Sequence, residues 1–110
     1  MNLTFTWTQC LTVDGDGTTE DAATLFRAAL RGAPEGAGPV TIDLFGLDLD
    51  TGQATVAWHQ TVRLLRDHFG SVTLLEAPQM LAHSLYKVGD LTDGRIHLVS
   101  PRSDEGISSN

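Results

Sequence analysis

Apolar and polar positions alternate at the start of the chain. Leu3, Phe5 and Trp7 are separated by Thr4 and Thr6, the period of a strand with one buried face. Cys10, Leu11 and Val13 continue or restart that pattern, as the second arm of a hairpin turning near Thr8-Gln9. Asp14-Gly15-Asp16-Gly17 then reads as a turn. The period changes after it. Ala22, Leu25, Phe26, Ala29 and Leu30 recur at helical spacing. Thr18 precedes them as a capping residue, with Glu20 and Asp21 in the first turn, where the helix dipole favours anions. Gly32 ends this helix, and Gly-Ala-Pro-Glu-Gly-Ala-Gly-Pro over 32–39 reads as a flexible connector.

Val40-Thr41-Ile42-Asp43-Leu44 predicts an interior strand. An acidic turn follows, Asp48-Leu49-Asp50-Thr51-Gly52, with Thr51 as the natural N-cap of a second helix. Ala54, Ala57, Trp58, Thr61, Val62, Leu65 and Phe69 line one face of that helix, and Gly70 closes it. His59 and His68 lie off the stripe and read as surface residues. Val72–Leu75 predicts a further strand, and Pro78 opens a third helix. Its apolar side is Leu81, Leu85 and Val88 with Met80 and Ser84, Met80 being read as core filling. Gly89 ends this helix, Asp93-Gly94 is a turn, and Ile96, Leu98 and Val99 form a last edge strand. The order β-β-α-β-α-β-α-β predicts an α/β domain over residues 1–100, a small mixed sheet of about five strands with helices packed on it. Residues 101–110 are polar and read as a disordered tail.

Composition narrows the class of partner. The 110 residues carry seven basic and 14 acidic side chains, a formal net charge of -7. That charge repels phosphate backbones and anionic lipid, so neither nucleic acid nor a membrane surface is expected as a partner. No apolar run approaches the ~20 residues of a spanning helix, and the N-terminus lacks signal-peptide features, so a cytoplasmic location is expected. The single Cys10 cannot form an intramolecular disulfide, and its setting suggests a buried small hydrophobe.

Several chemistries are weighed against the motifs. Asp14-Gly15-Asp16-Gly17 suggests a calcium loop, but Thr19 and Leu25 stand where the loop needs Gly and Glu. The glycines of 32–39 lack the Lys-Ser/Thr of a phosphate-binding loop. Asp50-Thr51-Gly52 is the tripeptide of aspartic proteases, yet it runs straight into a helical pattern and leaves no room for the strand and flap that should follow. Asp48 and Asp50 have the Asp-x-Asp spacing of haloacid dehalogenase-type phosphatases, but Gly52 occupies the Thr position. No cofactor or metal is expected. A hydroxyl at Thr51 would sit exposed at the positive end of a helix, where a phosphate finds free N–H donors and adds roughly -1.5 to -2 charges. The plain alternative is that Thr51 only caps the helix.

Three segments together resemble the STAS domain family, the anti-sigma factor antagonists and their relatives in sulfate transporters, stressosomes and lipid-transport complexes. Leu11 through Leu25 is similar to the family's strand, turn and first helix. Val40–Leu44 through Asp50-Thr51 is similar to its central strand and Asp-Ser-Ser-Gly loop. Val72 through Leu91, with Pro78 and Gly89-Asp90-Leu91, is similar to its last helix and Gly-Leu ending. The resemblance spans about 90 residues in the family's order. It implies a non-catalytic domain that binds a protein partner, a serine/threonine kinase of the anti-sigma type, with Thr51 as phosphoacceptor and Asp48, Asp50, Gly52 and Gln53 as partner-binding residues. The chain departs from the pattern where the second Ser becomes Gly52 and the Gly becomes Gln53. If Gly52 is aligned on the family's Gly, Asp50 takes the acceptor position as a permanent carboxylate. An unphosphorylated scaffold subunit of a larger assembly is the second reading, and a homodimer is compatible with both.

Overall fold

The computed structural model describes residues 3–7, 10–32, 39–49, 51–89, 91–92 and 94–99. Strands β1 (Thr4–Trp7), β2 (Leu11–Gly17), β3 (Val40–Leu49), β4 (Val72–Leu75) and β5 (Ile96–Val99) form one sheet in the order β1-β2-β3-β4-β5. β1 is antiparallel to β2, and every later pair is parallel. Helices α1 (Asp21–Gly32), α2 (Gly52–Phe69) and α3 (Gln79–Lys87) connect the parallel strands. The element order is the predicted one, and the protein is an α/β domain with a mixed five-stranded sheet. α1 packs on α2 and α2 on α3, so the helices form a single layer over the sheet.

The core lies between that layer and one sheet face. Leu11, Val13, Val40, Ile42, Leu44, Leu47, Val72, Leu74 and Ile96 point in from the strands. Leu25, Trp58, Val62, Leu65, Leu81 and Leu85 meet them from the helices. Each fully buried side chain of this size contributes about 1.5–3 kcal/mol. The other sheet face is open to solvent. Thr4, Thr6, Asp14, Asp16, Asp48 and His97 are exposed there, on the positions that alternate with the core residues.

Asp14–Gly17 is not a turn. It is the end of β2, paired with Gly46–Leu49 of β3. The two glycines hid the strand because its apolar cover comes from elsewhere. A Cβ on Gly17 would lie 2.9 Å from Leu47 Cδ1, Leu49 Cδ2 and Trp58 Cζ2. β3 likewise runs on to Leu49 rather than stopping at Leu44. Its alternation is broken by a bulge: between Thr12↔Asp43 and Asp14↔Gly46, Val13 faces both Leu44 and Phe45. The Phe45 N–H donates to Asp43 Oδ1 at 3.0 Å and stabilises the bulge. The extra residue shifts the parity, so Leu44 and Leu47, three apart, both enter the core.

Other expectations are corrected by packing. His59 is not on the surface; it is 6% exposed, its Nδ1 2.7 Å from Ser84 Oγ between α2 and α3. Met80 and Val88 are exposed rather than core, because the short α3 turns only Leu81 and Leu85 fully inward. On α1, Ala28 is buried and Leu30 is exposed. Trp7 is the cause: its Nε1 donates to the Ala28 carbonyl at 3.0 Å, and its indole fills the space a Gly32 Cβ would need. Cys10 is half-buried. Residues 8–9, 33–38 and 101–110, read as hairpin turn, connector and tail, lie outside the described residues.

Candidate functional site

Two helices begin side by side at the carboxyl ends of β2 and β3, the end of a parallel sheet where α/β proteins place their sites. α1 is entered through a reciprocal cap. Thr18 Oγ1 accepts the Asp21 N–H at 3.3 Å, and Asp21 Oδ2 accepts the Thr18 N–H at 3.2 Å and the Thr18 hydroxyl at 2.9 Å. α2 is entered through Thr51, whose φ of -130° and ψ of 159° are extended. Thr51 Oγ1 accepts the Ala54 N–H at 3.0 Å, and its carbonyl accepts the Thr55 N–H at 3.1 Å and the Thr55 hydroxyl at 3.2 Å. Thr51 is the predicted N-cap and is exposed.

The two caps share a cleft of about 380 Å³, lined by Gly17, Thr18, Thr19, Glu20, Thr51, Gln53 and Ala54. Its floor is held by Trp58. The indole Nε1 donates to the Thr18 carbonyl at 2.9 Å, tying α2 to the start of α1. The lining combines hydroxyls, one carboxamide and the Glu20 carboxylate. Gly52 and Gln53 are exposed residues of the first turn of α2, not of a loop. A Cβ on Gly52 would meet nothing within 4 Å.

The predicted residues therefore separate. Thr51 and Gln53 both line the cleft, from the start of α2. Asp48 stands on β3 beside Asp16 of β2, exposed and alternating with the buried Leu47, away from the helix layer. Asp50 lies outside the described residues. Among the described residues, no group of His, Cys, Asp and Glu forms a metal site. The all-β setting of an aspartic protease is absent, since the Gly of Asp50-Thr51-Gly52 opens α2. Sequence reasoning missed Thr18, Thr19 and Glu20 as the facing wall. Their signal was present as a cap and an acidic first turn, but only the parallel pairing of β2 with β3 places that cap opposite Thr51.

No family model matches the chain, and no curated protein matches it. Among the described residues, no helix is long and apolar enough to cross a membrane.

Proposed function

We propose that the chain is a STAS-like regulatory domain of the cytoplasm that binds a protein partner at the start of α2. Phosphorylation of Thr51 switches that binding. The partner class is a serine/threonine kinase of the anti-sigma type, and Asp50, Gly52 and Gln53 belong to the contact surface, whereas Asp48, on the open sheet face, lies apart from it. The observation that carries this reading is the exposed hydroxyl of Thr51 at the N-cap of α2, opposite Thr18 and Glu20. A phosphate there meets the helix N-terminus and, across the cleft, the Glu20 carboxylate. The added charge repels an acidic partner group or rebuilds its hydrogen bonds.

The test is incubation with a kinase of this type and ATP, followed by mass spectrometry and a binding assay with Thr51→Glu. Phosphate on Thr51 and weakened binding by Thr51→Glu are the expected results. No phosphate on Thr51, with binding by Thr51→Glu unchanged, overturns the switch.

A scaffold subunit that is never phosphorylated is the second reading, favoured by Gly52 and Gln53 at the family's Ser and Gly positions. A stable complex or homodimer in size-exclusion chromatography, unaffected by kinase and ATP, is its signature.

A further inference from the structure

A groove of about 350 Å³ runs between α1 and α2, beyond the Thr51 cleft and sharing Thr19 with it. Ala22, Ala23 and Phe26 from α1, with Ala57 and Leu64 from α2, give it an apolar lining. Leu64 is 54% exposed there. Arg27 borders the groove, and no described residue lining it is acidic. Glu20, just before α1, and Ala23 and Arg27 within it follow one another at spacings of three and four, so they share one side of the helix, and all three are exposed. A negative and a positive charge therefore stand about two turns apart with a small residue between them. The Arg27 guanidinium reaches back to Thr24 Oγ1 at 3.4 Å, which occupies one of its several donors.

We infer that this face binds a second copy of the chain. A two-fold axis through Ala23, perpendicular to α1, lays α1 antiparallel on its copy. Glu20 then meets Arg27 of the copy and Arg27 meets Glu20 of the copy, so one symmetry operation forms two ion pairs. Ala23 at the axis lets the two backbones approach. Arg31, one turn beyond Arg27, runs past the start of the copied helix and meets no charge on it. The ion pairs are exposed and set the orientation more than the affinity. Closing the two grooves on each other, with Leu64 covered, supplies the attraction. An unrelated partner would have to carry the same two charges in reverse order across a small residue; this chain already carries them. The inference is independent of how Thr51 is used.

The test is sedimentation equilibrium of the full chain at physiological ionic strength, up to about 1 mM. A mass rising from one chain toward two is expected. Glu20→Lys and Arg27→Glu each set like charges against one another twice and weaken the dimer about tenfold or more. The double variant Glu20→Lys/Arg27→Glu keeps the net charge of -7 and restores the parent's dimer. Mixing the two single variants in equal amounts also restores it, as a mixed dimer, which damage to the fold could not do. Leu64→Ser weakens the dimer with no change in charge. A chain that stays monomeric throughout overturns the second copy as occupant. Association that the single variants leave unchanged, or that neither the double variant nor the mixture restores, overturns the α1 interface.

Discussion

Trp58 and Thr18 are 40 residues apart, and a single hydrogen bond of 2.9 Å from the indole Nε1 to the Thr18 carbonyl joins them. Trp58 is fully buried midway along the core face of α2. Thr18 is the cap of α1. The bond sets the distance between two helix starts, and so the width of the cleft that holds Thr51. The cleft is a product of the core.

Trp58→Phe removes this donor, leaves the Thr18 carbonyl only the Asp21 N–H at 3.2 Å, and leaves a void beside Gly17. The expected loss is about 1–3 kcal/mol of stability, from the hydrogen bond and the lost volume together. Urea unfolding measures it, with Trp7 as the remaining fluorophore. A loss below about 0.3 kcal/mol would show that the bond does not hold the two helices together.

Gly17 and Gly46 should respond differently to the same change. A Cβ on Gly17 meets the fully buried Leu47 and Trp58, and Leu49 packed against the core. Gly17→Ala therefore overpacks and costs about 1–3 kcal/mol. A Cβ on Gly46 meets the carboxylate end of the exposed Asp14 side chain, which can swing away. Gly46→Ala should stay within about 0.5 kcal/mol of the parent. Thermal unfolding of the two variants side by side checks the contrast.

The element order is legible in this sequence because the period switches cleanly between strand and helix, and because Thr18, Thr51, Gly70 and Pro78 mark the joints. What escapes is decided by partners distant in the chain. Gly15 and Gly17 look like a turn until β3 and Trp58 cover them. The β3 bulge breaks the alternation that would have carried the strand to Leu49. His59 reads as polar surface until Ser84 is brought against it. The site follows the same division. Thr51 as N-cap is a local property and is readable. The wall formed by Thr18, Thr19 and Glu20 depends on a parallel pairing that no local pattern encodes.

Thr51 carries two separable roles. As a cap it accepts the Ala54 N–H. Thr51→Ala leaves that donor without its partner and should cost about 1 kcal/mol. Thr51→Asp caps equally well and should remain within about 0.5 kcal/mol of the parent. It also places a permanent negative charge in the cleft. If the proposed switch operates, the Asp variant is folded but binds its partner weakly, whereas the Ala variant binds and accepts no phosphate. Paired chemical unfolding and partner-binding measurements separate the roles. Equal binding by both variants would leave Thr51 as a cap alone.

Gly52 is where the chain departs from the resembling family's pattern, and the structure makes the reversal cheap. Its backbone is not left-handed, and a Cβ there meets open space. Restricting the unfolded chain by Gly52→Ala should raise stability by about 0.4–1 kcal/mol, a shift readable in a urea midpoint. Gly52→Ser should be tolerated on the same grounds and adds a second hydroxyl one residue after Thr51. Ser at this position meets no steric obstacle, so residue 52 can carry a second candidate acceptor. Kinase treatment of the Gly52→Ser variant tests this directly. Phosphate on residue 52 but not on Thr51 would move the acceptor by one position; phosphate on Thr51 in both forms would keep it where the N-cap places it.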